Sequence, residues 1–162
     1  MAPKEGDALP DVTLYKDSPQ GSFKIREVCA GKKVVIVAVP GAFTPTCSKT
    51  HLPSYVTNYD KLKELGVDIV AFVSVNDPFV MSAWGEAQGA SNKIEMWADT
   101  HSALTEALDL VLDATAFLGN KRSKRYSMLV VDNVIKDFNL EADPGSATCS
   151  MADPLMAKLK DQ

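Results

Sequence analysis

The sequence predicts an α/β fold in which helices flank a mixed central sheet. Three observations predict it. Apolar runs of strand length, Val34–Val39 and Val67–Val75, alternate with segments of helical spacing. Cap and turn residues separate these segments. Near the C-terminus, Arg125–Val131 and Val134–Leu140 flank Asp132-Asn133, a two-residue hairpin signal. Alternating units give parallel strands, and the hairpin adds an antiparallel pair.

The first half of the chain is predicted to hold three strands and a long helix. Residues 11–15 and 22–25 are two short strands, followed by the strand Val34–Val39. A helix then runs from about Thr44 to Gly66, and Pro53 is expected to kink or divide it. Apolar residues recur in it at spacings of three and four and form one face of the helix: Leu52, Tyr55, Val56, Tyr59, Leu62 and Leu65. The glycine that follows suits a helix C-terminus.

The second half continues the alternation and ends on the hairpin. Its predicted elements are the strand Val67–Val75, a helix capped by Asp77-Pro78 and ending near Gln88, the short strand Ile94–Ala98, a helix over 101–110, the two hairpin strands, and a last helix Leu155–Leu159 capped by Asp153-Pro154. The order β-α-β-α-β-α-β-β-α is that of a thioredoxin-like fold with an N-terminal β extension and an inserted strand and helix.

Composition limits the function classes. A chain of 162 residues with 46% hydrophobic residues favours one domain, residues 1–162, with a real core. No apolar run approaches the ~20 residues of a membrane span, so no membrane partner is expected. The net charge of −4 argues against nucleic-acid binding. Without a secretory signal pattern, the expected location is the cytoplasm, or an organelle if a transit peptide has been removed.

The segment Pro40–Cys47 is the strongest candidate for chemistry. It follows a buried strand and precedes helical spacing, with Thr44 as a suitable N-cap and Pro45 at the first helical position. Cys47 then lies in the first turn, where backbone N–H groups are unpaired and the helix dipole is positive. Thiols in such positions ionise more readily, and the thiolate is the reactive form. The pattern predicts a nucleophilic cysteine at the carboxyl end of a parallel strand.

The other cysteines and the histidines exclude several kinds of site. Three cysteines, none spaced as C-x-x-C, do not form a secreted disulfide framework, a zinc ribbon or a thioredoxin-type redox pair. Cys29 lies at apolar spacing and is interpreted as structural. With two histidines in the chain, no metal site is supported, and no cofactor is expected.

Four blocks of the sequence resemble one family. Pro40, Thr44 and Cys47 reproduce the P-x-x-x-T-x-x-C signature of the peroxiredoxins. The longer string Pro-Gly-Ala-Phe-Thr-Pro-Thr-Cys-Ser, with Lys-Thr-His-Leu-Pro after it, resembles the type II, or peroxiredoxin-five, subfamily. Ser74–Val80 and Lys124–Met128 are similar to that subfamily as well. The resemblance covers essentially the whole chain.

The resemblance implies a thiol peroxidase that reduces hydrogen peroxide and alkyl hydroperoxides, and peroxynitrite as well. Cys47 would be the peroxidatic cysteine. Thr44 would hydrogen-bond the thiolate and the bound peroxide, and Pro40 would cover the site. Arg125 would stabilise the thiolate and polarise the peroxide, consistent with a guanidinium's permanent charge and several donors. Without the resemblance, the basic run 121–125 would be interpreted as a solvated strand end.

The resemblance also assigns the second cysteine. A sulfenic acid on Cys47 needs a thiol to resolve it to a disulfide. Cys149 lies in a turn-rich segment whose Thr-Cys-Ser context resembles the resolving segment of animal type II enzymes, whereas the plant-type position holds Phe72. We therefore expect a Cys47–Cys149 disulfide within one chain and thioredoxin as the reductant. The alternative is an idle Cys149, with glutathione or glutaredoxin resolving Cys47.

Other hypotheses stay open at this stage. The chain could be a peroxide sensor that passes oxidation from Cys47 to a partner protein. His51, four residues after Cys47, could form a Cys–His pair, although a structural histidine is favoured and no third member of a hydrolytic triad is found. The family often forms homodimers near the active-site face, so a homodimer is expected by resemblance.

Overall fold

The structure is a computed structural model that describes residues 2–161. Met1 and Gln162, the ends of the expected domain, lie outside the described residues. The strands of this part of the chain are β1 (Thr13–Lys16), β2 (Ser18–Lys24), β3 (Lys33–Ala38), β4 (Ile69–Ser74), β5 (Glu95–Ala98), β6 (Val111–Asp113), β7 (Lys121–Ser123), β8 (Tyr126–Val131) and β9 (Val134–Leu140).

These strands form a mixed sheet of seven and a separate pair. The large sheet has the order β2-β1-β5-β4-β3-β8-β9, and β6 pairs with β7. Strands β3, β4 and β5 are parallel, whereas β8 and β9 are antiparallel additions at one side and β1 and β2 at the other. The predicted fold class, a thioredoxin-like mixed sheet with an N-terminal β extension, is confirmed.

The helices cover the sheet. They are α1 (Ile25–Cys29), a π-helical turn (Cys47–His51), α2 (Leu52–Thr57), α3 (Tyr59–Glu64), α4 (Pro78–Ala87), α5 (Ala103–Ala107), α6 (Thr115–Leu118) and α7 (Ala152–Lys160). The central strand β3 is buried on both faces: Val35 and Val37 pack into one hydrophobic cluster, and Val34 and Ile36 into the other. This explains its unbroken apolar run, in which each buried side chain contributes roughly 1.5–3 kcal/mol.

The predicted helix from Thr44 to Gly66 is divided, as expected, but at Asn58 rather than at Pro53. The proline at 53 has no N–H for an interior helical bond, and the chain widens before it into a π turn, closed by Leu52 N–H to the Cys47 carbonyl. Pro53 itself lies in the first turn of α2. The helix is interrupted at Asn58, whose side-chain amide donates to the Ser54 carbonyl at 2.7 Å and competes with the backbone ladder.

Several other boundaries differ from the predictions. The expected strand 22–25 begins earlier, and the residues after it form α1. The expected helix over 101–110 is confined to α5. The last helix begins at Ala152, so Asp153 acts in its first turn rather than as its cap. The segment containing β6, α6 and β7 was not predicted, because its elements of three or four residues are too short to show periodicity.

The hairpin and the α4 cap are confirmed. Asp132 and Asn133 have φ of 45° and 64°, as a type I′ turn requires, and Val131 pairs with Val134. The Asp77 carboxylate accepts from the Val80 N–H at 2.9 Å. Among residues 2–161, no helix has the length and hydrophobicity needed to cross a bilayer.

Candidate active site

Cys47 lies in the first turn of the helical segment that follows β3. The helical turn begins at Pro45, and the Ser48 N–H donates to the Thr44 carbonyl at 3.0 Å. Thr44 thus has the N-cap position predicted for it. The Cys47 side chain is wholly buried, and its thiol is free. Peroxide or any other reactant must therefore reach a sulfur enclosed by protein.

The loop between β3 and this turn is tightly held. Phe43 has a φ of 62°, a conformation that β-carbon-bearing residues rarely adopt, and its ring is exposed. The Ala42 N–H donates to the Asn76 side chain at 3.0 Å, which fixes the loop to the segment after β4. A Cβ at Gly41 would lie 2.9 Å from the Arg122 Nη1, so a larger residue there would have to displace the end of the Arg122 side chain.

Arg125 is brought to Cys47 by the pairing of β3 with β8. Because Ala38 pairs with Tyr126, the start of β8 lies at the carboxyl end of β3. The Arg125 Nη2 donates to the Cys47 Sγ at 3.0 Å. The side chain is 2% exposed, and among residues 2–161 no carboxylate lies within salt-bridge distance of it. The buried guanidinium is instead hydrogen-bonded to the Cys47 sulfur, a ring nitrogen of His51 and the Pro144 carbonyl.

His51 bonds Arg125 rather than Cys47. Its Nδ1 lies 2.8 Å from the Arg125 Nη1, and since a guanidinium can only donate, Nδ1 accepts. The proton is therefore on Nε2, which donates to the Ser150 carbonyl at 3.0 Å. Burial, together with the Arg125 charge, lowers the pKa of His51 from 6.5 to about 4, against the opposing effects of the Ser150 bond and Glu141. His51 is a neutral orienting group for Arg125, not a base paired with Cys47.

The His51 pKa predicts a loss of stability in mild acid. The unfolded imidazole takes up a proton near its usual pKa of 6.5, whereas the buried ring stays neutral until about pH 4. The contribution of the neutral His51 ring to the free energy of unfolding is complete above pH 6.5 and is lost as the pH falls from 6.5 to about 4. The free energy of unfolding should fall by about 2 kcal/mol between pH 7 and pH 5 through His51 alone.

Urea unfolding of the reduced protein at pH 7, 6 and 5 measures this loss. The His51→Asn variant should lose most of the slope, and His101→Asn, which replaces the exposed histidine, should keep it. Equal slopes in the wild type and His51→Asn would contradict the assignment.

Thr44 and Pro40 line the cleft next to Arg125, and neither is hydrogen-bonded to the thiol. The Thr44 hydroxyl donates its one proton to the Gly41 carbonyl at 2.7 Å, so in this structure it does not donate to Cys47. Its lone pairs remain available to accept from a peroxide O–H. Pro40 is buried, and its carbonyl accepts from the Arg122 Nη1 at 3.2 Å. Arg122, a member of the basic run 121–125, therefore anchors the loop.

A mainly apolar cleft of about 370 Å³ opens at this site. Thr44, Pro40 and Arg125 line it together, and Phe117 forms an exposed apolar wall. Arg125 connects the cleft to the buried sulfur, because it lines the first and bonds the second. The small polar head of a bound ligand could reach Arg125 while the ligand's apolar tail stays in the cleft.

Cys149 lies in the loop that joins β9 to α7, residues 141–151, called here the Cys149 loop. Its thiol is half-buried, free, and donates to the Leu140 carbonyl at 3.4 Å. Burial, and then the Glu141 charge, raises the pKa of Cys149. The loop contacts the site at two points: the Arg125 Nε donates to the Pro144 carbonyl at 2.9 Å, and the Thr46 hydroxyl to the Gly145 carbonyl at 2.8 Å.

Three residues at this site were not predicted from the sequence: Arg122, Tyr55 and Glu141. Tyr55 was assigned to an apolar helix face, yet its hydroxyl donates to the Ser150 carbonyl at 2.6 Å. Glu141 is 6% exposed and accepts hydrogen bonds from the Cys149 loop. The only sequence signal for Glu141 is an acidic residue just after a strand, which normally indicates an exposed turn. Cys29 is wholly buried, and burial raises its pKa to about 12, consistent with the predicted structural role.

Comparison with known proteins gives consistent matches. The family model described as Redoxin matches residues 4–155. The chloroplastic peroxiredoxin-2E-2 of Oryza sativa subsp. japonica is 43% identical over an alignment that spans 95% of this chain and 71% of the relative.

Solved structures match over nearly their full length. Reduced Prx3 from Vibrio vulnificus in complex with H2O2 superposes with a TM-score of 0.90 at 47% identity, covering 97% of this chain and 99% of that one. Peroxiredoxin 5 from Alvinella pompejana gives a TM-score of 0.90 at 41% identity, with 99% of each chain covered.

Proposed function

This chain belongs to the redoxin family as a peroxiredoxin of the type II, or peroxiredoxin-five, kind, and we propose that Cys47 is the cysteine that carries its thiol-peroxidase activity. One observation carries the proposal: Cys47 Sγ accepts from a buried Arg125 that has no carboxylate partner among residues 2–161. That arrangement favours a thiolate, which is the nucleophile needed to open a peroxide bond.

The first step is attack by the thiolate on the terminal peroxide oxygen. The S–O bond forms as the O–O bond breaks, giving Cys47–S–OH and an alkoxide or hydroxide that takes a proton from solvent. Sulfur is oxidised and the peroxide is reduced. The charge shifts from sulfur to the leaving oxygen, so a fixed guanidinium near both stabilises the transition state. The Thr44 hydroxyl accepts from the peroxide O–H, and Pro40 shields the sulfenic acid from bulk water.

The cleft supports both hydrogen peroxide and alkyl hydroperoxides as substrates, with peroxynitrite as a further one. Its lining includes Leu112, Phe117 and Leu118, which can cover an alkyl tail. Phe117 is 70% exposed before any ligand is present, so an apolar substrate would remove that ring from water. A longer alkyl hydroperoxide should therefore have a lower KM than hydrogen peroxide.

The second step, in this proposal, is resolution by Cys149. Its thiol condenses with Cys47–S–OH to give the Cys47–Cys149 disulfide and one water. The proximity of the Cys149 loop to Arg125 and Thr46 supports it. Both thiols are free, and each is hydrogen-bonded elsewhere, so the loop or the Cys47 turn must open first. An intramolecular disulfide suits a dithiol reductant, and we propose thioredoxin.

Steady-state peroxide consumption tests the cycle and separates the alternatives. With NADPH, thioredoxin reductase and thioredoxin, the wild type should consume many equivalents of peroxide. Cys149→Ser should lose thioredoxin support while still consuming one equivalent. Turnover by Cys149→Ser with glutathione and glutaredoxin at the wild-type rate would establish the one-cysteine mechanism instead. If the wild type consumes only one equivalent of peroxide with every reductant, the peroxide sensor would be favoured.

The proposal also covers the domain organisation, the location and the oligomeric state of the protein. We propose that residues 1–162 act as one domain located in the cytoplasm; the rice relative is chloroplastic by name, so an organelle is the alternative. We also propose the homodimer expected by resemblance, with the exposed rings of Phe43 and Phe79, 55% and 63% exposed, as candidate contacts. Sedimentation of the reduced wild type and of Phe79→Ser would test it, since only the wild type should dimerise.

A further inference from the structure

The Cys149 loop is fastened on both sides of its cysteine by one buried carboxylate. Glu141 accepts four hydrogen bonds, two from Thr148 and two from Ser150, each residue giving its backbone N–H and its hydroxyl at 2.6–2.8 Å. Because the acceptor is charged, these hydrogen bonds are stronger than hydrogen bonds between neutral groups. Burial acts to raise the pKa of Glu141, yet these four bonds outweigh it and hold the pKa at about 2. The carboxylate is ionised throughout the physiological range.

The same loop is held from the opposite side through the Ser150 carbonyl. The Tyr55 hydroxyl donates to it at 2.6 Å and the His51 Nε2 at 3.0 Å. His51 in turn bonds Arg125, which bonds the Cys47 sulfur. The residue that follows Cys149 is thus joined to the reacting centre through two side chains.

These bonds hold the backbone around Cys149 while its thiol is engaged away from Cys47. The thiol points to the Leu140 carbonyl and is not bonded to Cys47, whose sulfur is wholly buried. A disulfide needs the two Cα atoms within about 7 Å and the side chains directed at each other. The peptide N–H groups of Thr148 and Ser150, on both sides of Cys149, are bonded to one carboxylate, so a backbone movement that carries Cys149 toward Cys47 has to disrupt these bonds.

We propose that Glu141 is a positioning residue that clamps the Cys149 loop in its reduced conformation, and that release of this clamp limits the rate at which Cys149 resolves Cys47. The inference rests on the proposed function, because it needs Cys149 to be the resolving thiol. The step it limits is Cys47–S–OH plus Cys149–SH giving Cys47–S–S–Cys149 plus water. A slow release lengthens the life of the sulfenic acid, during which a second peroxide can oxidise it to the sulfinic acid.

The test measures resolution separately from peroxide attack. Rapid acid quench after one equivalent of hydrogen peroxide, followed by mass spectrometry, gives the rates of sulfenic acid and disulfide formation, and the first rate is the internal reference for the second. Glu141→Gln removes the charge and leaves one oxygen acceptor, so the disulfide rate should rise about tenfold. The sulfinic acid yield at excess peroxide should fall in parallel.

Two further variants keep the test decisive. The double variant Thr148→Val with Ser150→Ala removes only the hydroxyl donors. It should raise the ratio of the disulfide rate to the sulfenic acid rate by a smaller factor than Glu141→Gln does. It provides the test even if Glu141→Gln does not fold. The matched control is Asp99→Asn, which alters another buried carboxylate that accepts from two backbone N–H groups and a hydroxyl, in this case of Leu104 and Thr105. It should change stability without changing the ratio.

The outcomes distinguish this proposal from the function on which it rests. A wild-type disulfide whose rate Glu141→Gln leaves unchanged or slows overturns the clamp alone. If the wild type forms no Cys47–Cys149 disulfide, the proposed resolution by Cys149 fails and the clamp's role fails with it, whereas a Cys47 that gains no oxygen at all would overturn the proposed peroxidase function. Alkylation of Cys149 by iodoacetamide in the Cys47→Ser background should also quicken in Glu141→Gln, and an unchanged rate would contradict a clamp.

Discussion

Cys47→Ser is expected to abolish peroxide reduction, lowering kcat/KM by at least about a thousandfold. A serine hydroxyl stays protonated at neutral pH and cannot be oxidised as sulfur is, so neither attack nor a sulfenic acid is possible. The substitution is nearly isosteric, and the backbone of the turn from Pro45 does not depend on the sulfur. The measurement is the rate of peroxide consumption with thioredoxin, together with mass spectrometry for added oxygen.

Cys29→Ala is the matched control for this substitution. Cys29 is also wholly buried, but its raised pKa of about 12 keeps it a neutral thiol. This variant should retain wild-type turnover per folded molecule. Peroxide consumption by Cys47→Ser at more than a few per cent of the wild-type rate would show that another thiol does the chemistry.

Arg125→Met is expected to lower kcat/KM by about 10²- to 10³-fold, the usual effect of removing one fixed donor from a developing charge. Methionine keeps much of the volume but removes the cation at 3.0 Å from the Cys47 sulfur. The thiolate loses its counter-charge and the leaving oxygen loses its donor. Alkylation of Cys47 by iodoacetamide at pH 7 should slow as well, which separates loss of the thiolate from loss of peroxide binding.

Arg125→Lys should have an intermediate effect, because lysine restores the charge but not the planar fork that also bonds His51. Arg26→Met removes an exposed arginine and should leave the rate unchanged. A loss of less than tenfold in Arg125→Met would mean that the buried guanidinium serves the fold rather than the reaction.

Much of the fold could be predicted because its signals are local. The strand at 34–39 and the Asp132-Asn133 turn are set by residues within or next to the element, and both were found. The π turn before Pro53 and the small β6–β7 pair could not be predicted, because they depend on how short segments pack against the finished sheet. Asn58 gave no warning either, since asparagine disfavours a helix only weakly.

The site was predictable only in part. Cap and strand signals placed Cys47 in a first helical turn, and the structure agrees. The assignment of Arg125 needed the family resemblance, since the proximity to Cys47 is created by the β3–β8 pairing across the sheet. Glu141 could not be found from sequence, because its donors lie seven and nine residues away across a loop that has no regular structure.

The most direct test of the account is peptide mass spectrometry after one equivalent of hydrogen peroxide, on the wild type and on Cys149→Ser. The account predicts a Cys47–Cys149 disulfide within one chain of the wild type, and a sulfenic acid on Cys47 in the variant. A Cys47 that gains oxygen but never pairs with Cys149 would contradict the resolving role. A Cys47 that gains no oxygen in either protein would contradict the central claim that this thiol reduces peroxides.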